Sequence, residues 1–81
     1  MDRDALLNLI DQRLSEVNGG LTFEVIRDGV RQDQEWWYVP VIATRNGKDV
    51  PREVTINIYA NVETELEESN HVTVLFVPAV A

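Results

Sequence analysis

Three consecutive aromatic residues, Trp36-Trp37-Tyr38, followed by Pro40, are the side chains of this sequence best suited to recognising something. Successive side chains of an extended strand alternate between faces, so this run puts large rings on both sides of a sheet. One side can enter a core. The other must be covered by a loop, a second subunit, or a ligand or peptide. Stacking on nucleic-acid bases also uses exposed Trp and Tyr, but it accompanies a basic groove. This chain has 14 acidic against seven basic side chains, a net charge of -7 at pH 7, which repels phosphate backbones and anionic membranes. Trp36, Trp37, Tyr38 and Pro40 are therefore candidates for a protein-contact surface, and direct contact with nucleic acid or membrane is not expected.

Acid–base chemistry would fall to His71, the only histidine, with Glu35, Glu53 or Asp49 as an orienting carboxylate. Yet His71 lies at a helix-to-strand junction, where polar residues are ordinary. A single imidazole without cysteine or a second histidine also makes a poor metal site. Glu63, Glu65, Glu67 and Glu68 can attract a divalent cation or a basic protein, but on a helix they do not converge on one point, and a solvated face explains them. The sequence contains no phosphate loop, dinucleotide fingerprint, nucleophile elbow, zinc spacing or calcium loop. Gly19-Gly20 follows a helix rather than the strand that a phosphate-binding turn needs. These residues thus give no catalytic group, metal ligand or cofactor, and an enzyme is not expected. The alternative is a small ligand-binding or acid–base domain built on His71 and a nearby carboxylate.

The 81 residues suffice for one hydrophobic core, so residues 1–81 are read as a single domain. The absence of cysteine removes disulfides and thiol chemistry. Met-Asp-Arg-Asp at the start lacks the features of a secretory signal, and no apolar stretch approaches the length of a membrane span. A cytoplasmic location is expected. The acidic excess keeps a small domain soluble and leaves open a basic protein partner.

Leu7, Ile10, Leu14 and Val17 recur at helical spacing, with Leu6 and Leu9 widening the stripe, so Asp2 to Val17 reads as an amphipathic helix. Asp2 and Asp4 suit its electropositive start, and Asn18-Gly19-Gly20 ends it. Leu21 to Arg27 alternates as a strand with Leu21, Phe23 and Val25 on one face. Asp28-Gly29 is a turn signal, and Arg31 to Gln34 reads as a polar connection. Glu35 to Thr44 is a second strand, with Trp37, Val39, Val41 and Ala43 opposite Trp36, Tyr38, Pro40 and Ile42. Pro40 cannot donate a ladder hydrogen bond, which predicts a sheet edge or a bulge there.

Asn46-Gly47 signals a hairpin, and Val54, Ile56 and Ile58 alternate like a strand. Val54, Ile58, Val62 and Leu66 also recur every four residues, with Tyr59 on the same side, and the glutamates from Glu63 to Glu68 are poor strand formers. The spacing predicts helix over residues 54–68, with Pro51 in the first turn and Asp49 as a cap. His71 to Val77 is a third, buried strand.

The resulting fold is α+β in two layers, in the order α-β-β-α-β. A three-stranded antiparallel sheet has both helices on one face; the alternative is an N-terminal helix followed by a four-stranded antiparallel meander. Helices on one face leave the other sheet face to water unless another chain covers it. The function expected is a small acidic protein–protein interaction module that self-associates through its aromatic sheet face or an edge strand.

Overall fold

The computed structural model of the protein describes residues 2–17 and 19–79. Helix α1 spans Arg3–Glu16, and the Asp2 carboxylate accepts the Ala5 backbone N–H at 2.8 Å, satisfying one of the amides that a helix start leaves unpaired. Leu6, Leu7, Ile10 and Leu14 are its buried stripe. Val17 is exposed. Gly19 and Gly20 both take positive φ, as the end of the helix requires; Asn18 lies outside the described residues.

The strands are β1 (Thr22–Val25), β2 (Arg31–Asp33), β3 (Trp36–Arg45), β4 (Lys48–Asp49) and β5 (Thr73–Ala79), and helix α2 (Arg52–Asn70) joins β4 to β5. Strand β3 is central. β1 and β2 pair antiparallel with its second and first halves, and β4 pairs antiparallel with its end. β5 runs parallel to it over Trp36–Ile42; it is an edge strand with Leu75 and Val77 exposed rather than the buried strand predicted, because the helices cover only its Val74 and Phe76 face. The hairpin half is antiparallel as the sequence predicts, and β5 is the exception. Its direction follows from the connection, because a 19-residue helix carries the chain back along the sheet to where β3 began.

Two further differences have local causes. The polar connection predicted at Arg31 to Gln34 contains β2, which pairs through Arg31, Gln32 and Asp33 before a tight turn in which Gln34 takes φ 57. Pro40 lies in the central strand rather than at an edge. Its carbonyl accepts the Ile26 N–H at 2.9 Å, so its backbone faces the β1–β2 side. Between those two strands the chain leaves the ladder in a 3-10 turn at Arg27–Gly29. The irregularity that proline needs is thus supplied by the neighbouring strand.

Asn46-Gly47 turns β3 into the two-residue β4, with φ 55 and 77, after which Pro51 forces the chain out of the ladder. Pro51 occupies the N-cap of α2 without a side-chain bond, and Asp49 belongs to β4. Residues 54–68 are helical, as predicted. The buried stripe is Thr55, Tyr59, Val62 and Leu66, one residue off the predicted row at its start, and Val54 is exposed. The Thr55 hydroxyl donates to the Arg52 carbonyl at 3.2 Å, so this β-branched residue enters the core with its polar atom satisfied.

The core lies between the sheet and the helices. Leu6, Leu7, Ile10 and Leu14 of α1 and Tyr59, Val62 and Leu66 of α2 meet Val39, Val41, Val74 and Phe76. Both helices therefore cover one sheet face. The Tyr59 ring packs against Phe76 and Phe23, with centroids 5.3 and 6.0 Å apart.

Candidate interaction surface: the uncovered sheet face

The core uses Val39, Val41 and Ala43 of β3, so the alternation of the strand turns Trp36, Tyr38, Pro40 and Ile42 to the opposite face. Register extends that row sideways. Trp36, Tyr38, Pro40 and Ile42 stand beside Thr73, Leu75, Val77 and Ala79 of β5. On the other flank, Trp36 and Tyr38 stand beside Asp33 and Arg31, and Ile42 beside Glu24. The result is an apolar band two strands wide, with charged side chains only along its β1–β2 margin. Trp36, Leu75 and Val77 are exposed at 45, 41 and 38%, high values for large apolar side chains on one contiguous surface. The Arg31 guanidinium carbon lies 5.9 Å from the Tyr38 ring centroid, in cation–π range.

Of the four residues singled out in the sequence, three meet on this surface: Trp36, Tyr38 and Pro40. Trp37 points the other way and packs against the core cluster, so it belongs to the helix-covered face. Leu75 and Val77 complete the surface. Alternation within β5 already opposes them to Val74 and Phe76; what the sequence does not reveal is the parallel register that brings them beside Tyr38 and Pro40.

The residues proposed for acid–base chemistry do not assemble. His71 is exposed and takes φ 56 as the C-cap of α2, its backbone N–H donating to the Glu67 carbonyl while the Val72 N–H donates to that of Leu66. Among the described residues, no hydrogen bond or ion pair joins its ring to a carboxylate. Glu35 sits in the β2–β3 turn, Asp49 in β4, and Glu53 at the far end of α2 from His71.

The glutamates of α2 likewise part company. Glu65 pairs with Arg13 at 2.6 Å, and Glu63 accepts the Phe76 backbone N–H at 2.8 Å. Burial pushes the Glu63 carboxyl above its ordinary pKa, more than the Phe76 bond lowers it. No metal-competent group of three or more acidic, His or Cys side chains exists among the described residues. A hollow of about 410 Å³ lies between α1 and β1, lined by Asp11, Leu14, Ser15, Leu21, Thr22 and Phe23. It lacks a cation and a histidine. No helix among the described residues is long and apolar enough to cross a membrane.

Fold and surface together define a small two-layer α+β domain with an uncovered apolar sheet face. Compared with known proteins, the chain matches no family model, no curated protein and no solved structure.

Proposed function

We propose that this domain is a self-associating interaction module in which two copies pack sheet to sheet through Trp36, Tyr38, Pro40, Ile42, Leu75 and Val77. The observation that carries the reading is the absence of helix from this face, while large apolar side chains remain exposed on two adjacent strands. A second copy is the occupant favoured by charge. The two helices and the Asp2 cap hold nine acids against three bases, whereas the strands and turns hold five against four. Sheet-to-sheet packing keeps the strongly negative helical layers on the outside, where screening acts over roughly 8 Å at physiological salt.

The two longer dimensions, 34 and 24 Å, cap the broad side at about 800 Å², so the contact is at most one partner's share of a standard interface. The contact would be isologous, with an apolar centre and a polar rim at Glu24, Arg31 and Asp33. A cytoplasmic setting is part of the proposal, and imaging of the tagged chain tests it. A basic protein partner has only net charge in its favour.

Sedimentation equilibrium tests the reading. The expected outcome is a concentration-dependent rise from 9.2 kDa toward twice that mass. Tyr38→Lys or Leu75→Lys, each placing a charge in the apolar band, should weaken association at least ~30-fold, the loss of a central contact worth about 2 kcal/mol. A mass of 9.2 kDa at every concentration up to about 1 mM, below which even an interaction of roughly 4 kcal/mol would be detected, sinks it.

A further inference from the structure

An edge strand carries a row of backbone groups with no sheet partner, and β5 is such a strand, paired with β3 alone. The Phe76 N–H does not point at β3, because it donates to the Glu63 carboxylate at 2.8 Å. By the two-residue alternation of a strand, Val74 and Pro78 direct their backbone groups the same outward way. Pro78 has no N–H to offer. Along this edge, therefore, one amide is chemically absent at Pro78 and one is occupied at Phe76. Beside the edge runs a shallow groove of about 140 Å³ whose lining includes Arg52, Ile56, Glu63, Leu75, Phe76 and Pro78. Ile56 is exposed. The groove has room for side chains of an added strand, and Glu63 reaches across it.

The Glu63 carboxylate is partly desolvated there, which is unfavourable for a charged group in the middle of a helix with water close by. What it gains is the Phe76 amide. We infer that Glu63 is a guard that keeps the β5 edge closed to strand addition, and that the strand it excludes is β5 of a second copy, paired antiparallel about the Val74–Phe76 stretch. Such pairing would join two sheets side by side and, combined with contact through the sheet face, would extend without limit. Glu63 and Pro78 then restrict association to the face. The guard itself rests on the edge geometry alone and does not require the face reading to hold.

The test replaces Glu63 in two backgrounds, the wild-type chain and the Tyr38→Lys chain whose face is disrupted. Glu63→Ala removes the acceptor, and Glu63→Gln retains one in its amide oxygen. In the Tyr38→Lys background, Glu63→Ala should raise the mass above that of a monomer with rising concentration, while Glu63→Gln leaves it unchanged. Phe76 amide exchange, followed by NMR, should accelerate at least tenfold in dilute Glu63→Ala and slow again as concentration rises. Folded Glu63→Ala that stays monomeric at all concentrations, with a Phe76 amide indifferent to concentration, overturns the inference whether or not the wild-type chain dimerises. If Glu63→Ala fails to fold, a chain that keeps Glu63 still decides. In Tyr38→Lys alone, Phe76 should exchange at least tenfold more slowly than the outward-facing Val74 amide, and equal rates refute the guard.

Discussion

Gly29→Ala is the substitution whose cost the structure fixes most narrowly. A Cβ at this position would sit 2.9 Å from Cγ of Pro40, while its next neighbours, Ile26 Cγ2 and Pro40 Cδ, lie at ordinary distances of 3.7 and 3.9 Å. Carbon atoms prefer separations of about 3.5–4 Å. The overlap therefore exceeds half an ångström by that standard, and a ring closed onto its own backbone has little freedom to retreat. Overpacking of this kind costs roughly 1–3 kcal/mol. Against it stands the stiffening of the unfolded chain, which favours alanine by about 0.4–1 kcal/mol where φ is compatible. Gly29 qualifies, since the glycines with positive φ are Gly19, Gly20 and Gly47.

The net expectation is a loss of about 1–2 kcal/mol, which lowers the melting temperature by roughly 4–15 °C in a domain of this size. Thermal and urea unfolding followed by tryptophan fluorescence reads it, at one fixed protein concentration so that self-association does not enter the comparison. A double-mutant cycle isolates the cause. In Pro40→Ala the offending Cγ is gone, and Gly29→Ala should become neutral or slightly stabilising, giving a coupling of about 1–3 kcal/mol between the two positions. A neutral Gly29→Ala in the wild-type chain, or the same loss in both backgrounds, would refute the close approach of the 3-10 turn to the proline ring.

Two further predictions concern protons. Because burial holds the Glu63 carboxyl above its ordinary pKa, the unfolded chain releases that proton first as pH rises; stability contributed below the ordinary carboxylate range is lost through the folded value. Glu63→Gln keeps an acceptor for Phe76 without this titration, so its stability relative to wild type should improve from about pH 4 to about pH 7, and parallel urea-midpoint curves would contradict the assignment. Tyr59 is raised above 10.0 by desolvation, partly offset by its hydrogen bond with Thr55. Stability should consequently fall as pH climbs past about 10 and fall less in Tyr59→Phe, with equal alkaline slopes the adverse result.

The elements were legible in the sequence wherever local chemistry and tertiary demand agreed. The acidic start of α1, the paired glycines after it, the alternation of Trp36 to Ala43 and the four-residue recurrence in α2 all act within a few residues, and each has its counterpart in the fold. Residues 46–70 carried two competing signals, and both are used: Asn46-Gly47 makes a hairpin that lasts only two residues before Pro51 ends it and the helix begins. Pro40 misled because the rule confining proline to edges assumes that the neighbouring strand is regular. Here the neighbour breaks at Arg27–Gly29, a feature of residues more than ten positions away. The candidate surface was half legible for a similar reason. Parity within β3 separates Trp36 and Tyr38 from Trp37, but only the parallel register of β5 brings Leu75 beside Tyr38 and Val77 beside Pro40.

A sheet this small has two edges and one bare face through which it can meet another chain, and its side chains treat them differently. Along the β1–β2 edge the ladder is interrupted by the 3-10 turn. That turn is tied down by Arg27, which bonds Asp11 of α1 at 2.7 Å and Asn8 at 3.3 Å, while Arg3 donates to the Arg27 carbonyl. Along β5, Pro78 and the Glu63–Phe76 bond perform the same office. These are established ways of discouraging edge pairing: a break in the strand, a proline, and charges set against the backbone. The bare face carries no comparable deterrent, since its apolar band holds no charged side chain between the β1–β2 margin and Val77. With its edges interrupted or capped and its face bare, the sheet-to-sheet contact proposed above is the geometry that these features leave open. Face-to-face contact about a twofold axis uses the surface up in a single step, whereas β5-to-β5 pairing added to that contact would link one pair to the next. The distribution of charge, proline and irregular backbone therefore favours a closed pair over an open array.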